Sequence, residues 1–211
     1  MADLKKLYNA VLNGDLKTAV AVTKDALAEG VDPLELVSAH MVPAMSEVGR
    51  RYECEEYFVP ELLLAARAMK GSLELIRPLL SARGVEPAGR VVIGTVKGDL
   101  HDIGKNLVAS LLEGGGFEVV DLGADVAPEK FVQAVKDRSA NIVCLSALLT
   151  VTMPGMKTTM EALKSAGVRD RIKVLIGGAP VTQQYADEIG ADGYGENASV
   201  AVNLACRLVG R

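Results

Sequence analysis

The sequence has no tryptophan, and aromatic residues make up only 4% of it, so any hydrophobic core must be mainly aliphatic. No stretch approaches the roughly 20 apolar residues that a membrane-spanning helix requires. The first residues are charged and lack the apolar core of a secretion signal, so export is not expected. The net charge of -4 argues against the clustered basic surface of a nucleic-acid-binding protein.

Cysteine and histidine are also scarce. The three cysteines, Cys54, Cys144 and Cys206, are far apart and form no CxxC pair, so neither a disulfide framework nor a thiolate metal site is indicated. Cys144 lies in an apolar run and is interpreted as a small core residue. Of the two histidines, His40 falls inside a predicted helix and is interpreted as a packed or surface residue. A reducing, cytoplasmic location is the simplest interpretation.

The first part of the chain, residues 1–88, has a helical pattern. Apolar residues recur at three- and four-residue spacing through four stretches, which predicts a four-helix bundle. Asp15 is a predicted cap of the second helix, and Asp32 followed by proline is a predicted start of the third. Pro43 predicts a kink or a break within the third helix. Residues 81–89 are polar and rich in Gly and Pro, which predicts a linker.

The second part, residues 89–211, alternates short β-branched runs with helical stretches. The runs are RVVIGTV, FEVVDLG, NIVCLSAL, IKVLIGG and a weaker ADGYG. Continuous apolar strands separated by helices are typical of a parallel sheet covered on both faces, so we expect a Rossmann-like (flavodoxin-like) α/β domain. Ligands bind such sheets outside the carboxyl ends of the strands, so the loops that follow the strands are the candidate site.

The loop after the first strand carries a carboxylate beside a histidine. Asp99 precedes His101 by two residues, so it can bond to one ring nitrogen while the other faces outward, as in histidines that bind metals. Gly104 is predicted to let the chain turn closely into the next helix. The alternative, to which the motif alone gives about equal weight, is a helix-capping aspartate beside an exposed histidine.

The later strand ends carry hydroxyl groups and glycines. Ser146, Thr150 and Thr152 are predicted to project on one side of an extended segment, although Thr is also simply a good strand former. Gly177 and Gly178 permit either the close approach of a ligand or a tight turn.

Taken in order, these loops resemble the B12-binding domain of cobalamin-dependent methionine synthase and of the small corrinoid proteins of methanogens and acetogens. The shared pattern is D-x-H-x-x-G, then S-x-L, then G-G, found here as Asp99, His101 and Gly104, then Ser146 and Leu148, then Gly177 and Gly178. The stretch VGRRYECEEYFVPELLLAARAMK resembles the cap domain that precedes the B12 domain in methyl carriers. The resemblance covers most of the chain.

The resemblance implies a cobalamin or related corrinoid in its base-off, His-on form. His101 would be the axial cobalt ligand in place of the cofactor's own base, and Asp99 would bond to it. Thr152 matches a serine that completes this relay in methionine synthase, but threonine adds a methyl group. The implied slot for the displaced base is formed by Ser146, Leu148, Thr150, Gly177 and Gly178.

Further cofactor contacts are implied around this slot. They come from the strand-end loops at Gly98, Asp102, Ile103, Tyr194 and Ala198. On the cap, Phe58 matches a phenylalanine that shields the methyl group above the corrin. Helical periodicity alone instead favours a bundle-core position for Phe58.

The function implied is that of a methyl carrier, a subunit of a methyltransferase system rather than a complete enzyme. It would accept a methyl group on Co(I) from a substrate-specific methyltransferase and donate it from methyl-Co(III) to a second one, with tetrahydrofolate or a thiol as acceptor. A reductive activase is a further implied partner, and the linker at 81–89 is the predicted hinge of the cap. The alternatives are a B12-binding subunit of a mutase, a B12-dependent sensor and a flavodoxin-like module that binds no corrinoid.

Overall fold

A computed structural model describes residues 3–84 and 86–210 of the chain. The chain forms two compact units, one of residues 1–87 with 113–116 and one of residues 88–112 with 117–211. Across the described ranges, no helix combines the length and the apolar character needed to cross a membrane. The predicted linker begins too early, because residues 81 and 82 are still helical, and its residue 85 lies outside the described ranges.

The first unit is built from helices that begin where the sequence supplies caps. They are α1 (Leu4–Leu12), α2 (Leu16–Ala28), α3 (Pro33–Glu35), α4 (Val42–Glu53) and α5 (Val59–Ala82), with a π-helical segment (Leu36–Met41) between α3 and α4. The carboxylates of Asp15 and Asp32 each accept a backbone N–H from the first turn of their helix, as predicted. These bonds satisfy donors that a helix start leaves without partners.

Pro43 lies in the first turn of α4, directly after the π-helical segment. A proline inside a helix has no N–H to donate, and its ring crowds the carbonyl four residues back. The wider π turn relieves that crowding. The interruption predicted at Pro43 is therefore a change of helix type just before it.

The core of the helical unit is aliphatic, as the scarcity of aromatic residues predicts. Burying one such side chain stabilises the folded state by about 1.5–3 kcal/mol. The largest fully buried side chains of the helical unit are Leu7, Leu36, Met41, Leu62, Met69 and Ile76.

The second unit is a five-stranded parallel sheet in the order β2-β1-β3-β4-β5. Each predicted strand and helix of this half is present. The strands are β1 (Arg90–Thr95), β2 (Glu118–Asp121), β3 (Ile142–Ser146), β4 (Lys173–Gly177) and β5 (Gly193–Gly195). The helices are α6 (Ile103–Gly114), α7 (Pro128–Arg138), α8 (Pro154–Ser165), α9 (Gln183–Ile189) and α10 (Ala198–Leu208).

Helices cover both faces of this sheet, which explains the continuous apolar strands. Alternate strand residues such as Val92, Val143 and Val174 pack with side chains of α7, α8 and α9. The residues between them, such as Ile93, Cys144 and Leu175, pack with α6 and α10. Burial raises the pKa of the Cys144 thiol to about 12, in agreement with its interpretation as a core residue.

Candidate functional site

The strand order reverses between β1 and β3, because β2 lies on one side of β1 while β3, β4 and β5 follow on the other. In open parallel sheets, ligands bind in the crevice at the carboxyl ends of the strands where the order reverses. The loop after β1 carries Asp99 and His101, and the loop after β3 carries Thr152. The fold therefore brings the two most informative predicted loops to one place.

Asp99 is the centre of this site. It is fully buried, and its carboxylate accepts from four groups: the His101 N–H (3.0 Å) and His101 Nδ1 (2.7 Å) at Oδ1, and the Leu148 N–H (2.7 Å) and Thr152 hydroxyl (2.7 Å) at Oδ2. Burial raises the pKa of Asp99, but the hydrogen bonds from Thr152, from the two backbone groups and from the ring outweigh it and hold the pKa below its usual value. Asp99 is consequently an ionised acceptor at neutral pH.

The imidazole of His101 is oriented by this carboxylate. Because ionised Asp99 can only accept, Nδ1 carries the hydrogen between the two groups, and in the neutral form of the ring Nε2 then holds the lone pair. The His101 side chain is 51% exposed, and Nε2 has no hydrogen-bond partner within the described ranges. A neutral imidazole whose inner nitrogen is bonded to a carboxylate is the arrangement found in metal-binding histidines. The geometry thus matches the prediction made for Asp99 and His101.

The predicted extended run of hydroxyls is wrong. Strand β3 ends at Ser146, and Thr150 and Thr152 lie in a turn that leads into α8. Because of this turn, Thr152 is buried and its hydroxyl reaches back to Asp99. The same oxygen lies 2.8 Å from the carbonyl of Leu149, but its one hydrogen favours the charged acceptor.

The added methyl group of Thr152 does not disturb this bond. Its carbon would lie 3.9 Å from a Cβ atom at Gly98, an ordinary van der Waals distance. The methyl group therefore has room beside Gly98 while the threonine hydroxyl keeps its bond to Asp99.

The turn of the first loop is made by Gly98, and the role predicted for Gly104 is wrong. Gly98 has a φ of 85°, in the left-handed region that glycine tolerates best. Gly104 lies inside α6 without a positive φ, and a Cβ there would meet open space. Nothing in the fold itself requires glycine at position 104.

A row of small residues crosses the strand ends on the sheet face covered by α6 and α10. Ser146 pairs with Gly177, and Gly177 pairs with Gly195, so the three positions share one face. Of these three residues only Ser146 has a side chain, and that side chain is a single hydroxymethyl group. A Cβ at Gly195 would lie 2.9 Å from the Cβ of Ala201, so α10 packs directly on this end of the row.

The second glycine of the pair is required by the protein backbone. A Cβ at Gly178 would lie 1.8 Å from the carbonyl oxygen of Ala147, and its φ is 133°. A Cβ at Gly177 would lie 3.0 Å from the carbonyl oxygen of Gly195. These glycines therefore allow the backbones of neighbouring strand-end loops to approach each other closely, whether or not a ligand also approaches them.

Apolar side chains surround the exposed imidazole in sequence. They stand out because large exposed apolar groups that cluster indicate a binding surface. The exposed members in the two loops are Leu100 (76%), Ile103 (86%), Leu148 (41%), Leu149 (42%) and Val151 (80%). One outward ring nitrogen, carried on a loop with exposed apolar side chains, fits a large flat macrocycle that carries its own metal. The residues present therefore fit a corrinoid.

The other residues predicted to contact the cofactor differ in how far they are buried. Phe58 lies one residue before α5 and is 64% exposed, so the bundle-core position favoured by periodicity is wrong. Ala198 is buried at the start of α10, and Tyr194 packs partly buried against the core on the other face of β5. Asp102 accepts the side-chain amide of Asn106 at 3.1 Å.

Two residues near His101 escaped prediction. The hydroxyl of Thr95, at the end of β1, donates to the His101 carbonyl (2.9 Å). Asp125 accepts the Gly98 N–H (2.7 Å) and donates its own N–H to the Asp99 carbonyl (2.9 Å). Thr95 ends an apolar strand and Asp125 follows a different one, so neither has a local pattern that marks it.

Comparison with known proteins agrees with this geometry. Two family models, each described as a B12 binding domain, match residues 89–203 and residues 3–77. The trimethylamine corrinoid protein 2 of Methanosarcina mazei is 47% identical over 94% of this chain and 92% of its own length.

Solved structures extend the likeness to both halves of the chain. A cobalamin-binding protein from Desulfitobacterium hafniense covers 100% of both chains with a TM-score of 0.81 and 34% identity. One chain of the methanol:cobalamin methyltransferase complex MtaBC of Methanosarcina barkeri also matches, with a TM-score of 0.85 and 31% identity. The alignment covers 98% of this chain and 79% of that chain. With a Rossmann-like parallel sheet, a helical cap domain and matches of this extent, the chain belongs to the B12-binding corrinoid proteins.

Proposed function

We propose that this protein is a methyl carrier that holds a corrinoid in the base-off, His-on form, with Nε2 of His101 as the axial cobalt ligand. The observation that carries the proposal is the 2.7 Å bond between His101 Nδ1 and Asp99, which leaves Nε2 outward and unpaired within the described residues. When bound, the corrinoid supplies the cobalt centre on which a methyl group is accepted and given up. The side chains of the protein bind and orient it.

The proton accompanying exchange of the axial ligand would be held on the imidazole. Asp99 receives three donors besides the ring, so its pKa stays low and it remains the anion. When Nε2 is not coordinated, it can take a proton and form an imidazolium beside this carboxylate. Coordination of Nε2 would displace that proton, while the hydrogen on Nδ1 would stay bonded to Asp99. Asp99 thereby favours both states without itself being protonated.

A slot for the displaced base would lie beside the small-residue row. Ser146 and Thr150 would bond to it, while Gly177 keeps side chains out of the way. Leu148 and Gly178 would line its walls, and Gly98, Asp102, Ile103, Gly104, Tyr194 and Ala198 would contact the edges of the cofactor. Phe58 is exposed, as a residue that shields a methyl group requires before its ligand is bound.

The partners follow from the relatives. The trimethylamine protein matches at 47% identity and the methanol complex at 31%, so a methylamine is the donor class we propose. A methyltransferase specific for that amine would load the carrier. A second methyltransferase would unload it to a thiol or tetrahydrofolate, and a reductive activase would restore it after oxidation. The segment that follows α5, residues 83–89, is proposed as the hinge of the cap.

Removal of the Thr152 hydroxyl tests the relay. We expect Thr152→Val to take one donor from Asp99 and to weaken hydroxocobalamin binding about 10- to 100-fold, the usual effect of losing a partner behind a metal-binding histidine. Thr152→Ser keeps the hydroxyl and should bind within a fewfold of the unaltered protein. Titration followed by absorbance measures both, and equal weakening by the two substitutions would contradict a role for the hydroxyl.

The proposed function is tested with purified protein loaded with hydroxocobalamin and reduced under anaerobic conditions. We expect the loaded protein to be methylated when a trimethylamine, dimethylamine or methanol methyltransferase is added with its substrate, fastest with one of the amines. Absorbance of the corrin bands follows the transfer. A colourless protein that refuses hydroxocobalamin would overturn the proposal, and a preference for methanol would overturn the donor class alone.

A further inference from the structure

Thr95 has a hydroxyl group that the sheet does not need. It is fully buried at the end of β1. Its backbone is already satisfied, because its N–H donates to Gly123 (2.9 Å) and its carbonyl accepts from Val126 (3.0 Å). A valine would fill the same place in an apolar strand, and a buried hydroxyl is costly unless it is bonded. The partner of this hydroxyl is the carbonyl of His101 at 2.9 Å.

The backbone of His101 is therefore held on both sides by buried side chains. Its N–H donates to Asp99 Oδ1 (3.0 Å), and its carbonyl accepts from Thr95. Both Asp99 and Thr95 have no exposed surface, while the His101 side chain is 51% exposed. The two peptide groups that flank the His101 Cα are thus each held by a hydrogen bond, while the ring projects from between them.

We infer that Thr95 is a positioning residue that holds the His101 backbone in place while the ring exchanges between coordinated and free states. This inference rests on the proposed function of His101. A ligand that leaves and returns binds best when its Cα does not move, since only side-chain torsions must then be restored. Asp99 sets the direction of the ring, and Thr95 sets the position from which it projects.

The test compares one substitution at two buried threonines. Thr95→Val removes the hydroxyl and keeps the volume, and Thr95→Ser restores the hydroxyl. Thr159→Val is the matched control, because Thr159 is equally buried and its hydroxyl donates at 2.8 Å to the carbonyl of Gly155 within α8. If Thr95→Val does not fold, Thr95→Ala removes the same donor with a smaller side chain.

Two measurements read the effect. In protein loaded with cobalamin and reduced to Co(II), electron paramagnetic resonance shows nitrogen coordination as triplets, which become doublets with ¹⁵N-histidine. We expect Thr95→Val to lower the ratio of coordinated to free His101 by roughly threefold to tenfold, the effect of one lost hydrogen bond. In cobalt-free protein, exchange of the His101 amide hydrogen should become faster by a similar factor. Thr95→Ser should stay close to the unaltered protein in both measurements.

The outcomes separate this inference from the proposed function. If Thr95→Val leaves both readings unchanged, or if Thr159→Val changes them equally, Thr95 has no positioning role. If the unaltered protein shows no nitrogen coordination at all, the proposed function fails. The amide exchange of cobalt-free protein then still decides whether Thr95 holds the His101 backbone.

Discussion

Substitution of His101 by alanine is expected to remove the protein's nitrogen from cobalt. The triplets in the Co(II) spectrum of cobalamin-loaded protein should vanish, and hydroxocobalamin binding should weaken at least about 100-fold. This estimate follows because losing a group behind a metal-binding histidine already costs 10- to 100-fold, and here the ligand itself is lost. The exposed apolar side chains of the two loops remain in the variant, so residual binding is expected to come from them.

The other histidine of the chain supplies a control. His40 lies in the π-helical segment of the helical unit, and His40→Ala should leave the spectrum and the binding unchanged. Loss of the triplets in His40→Ala, or their persistence in His101→Ala, would place the ligand elsewhere and contradict the proposed coordination.

The elements of the second unit were predictable because their signals are local. Runs such as RVVIGTV and NIVCLSAL are apolar throughout, which only a sheet covered on both faces permits, and β1 and β3 begin and end within them. The relation of Asp99 to His101 was also predictable, because two residues in one loop can bond without help from the rest of the chain. Such arguments need only neighbouring residues.

The contacts that complete the site were not predictable in the same way. Thr152 is 53 positions from Asp99, and an extended segment would have pointed its hydroxyl to the same side as those of Ser146 and Thr150. The turn after Ser146, where β3 ends, decides the outcome, and it depends on how α8 packs. Thr95 looks like an ordinary strand residue. Its hydroxyl bonds to the backbone carbonyl of His101, and because every residue has such a carbonyl, no sequence pattern marks the pair.

Phe58 illustrates a different error. Helical periodicity applies only inside a helix, but Phe58 lies just before α5, where its N–H donates to Glu61 (3.0 Å). A side chain at this position precedes the helix and does not have to lie on its apolar face. The role that the resemblance to methyl carriers implies for Phe58 does not depend on this periodicity and stays a prediction.

Replacing Asp99 by asparagine is expected to destabilise the protein although the two side chains have the same shape. Oδ1 accepts the His101 N–H and Oδ2 accepts the Leu148 N–H, so the amide NH₂ must face a backbone N–H in either orientation. A buried donor is then left without an acceptor, and the hydrogen bonds lose their charge. We expect the free energy of unfolding at pH 7 to fall by about 2–4 kcal/mol, measured by urea denaturation. Asp102→Asn, the same change three residues later on the partly exposed side of the loop, should cost less than about 1 kcal/mol.

The loss caused by Asp99→Asn should depend on pH, and its sign is fixed by the pKa of Asp99. The hydrogen bonds lower this pKa in the folded protein below its usual value of 3.8. The unfolded chain therefore binds the proton more readily, and the ionised carboxylate stabilises the folded state at pH values above the usual one. That contribution is lost as the pH falls through the folded pKa. The gap in unfolding free energy between the unaltered protein and Asp99→Asn should narrow as the pH falls below about 4. A gap that stays constant into acid would mean that Asp99 is not held as an anion, and the orientation of His101 would then need another cause.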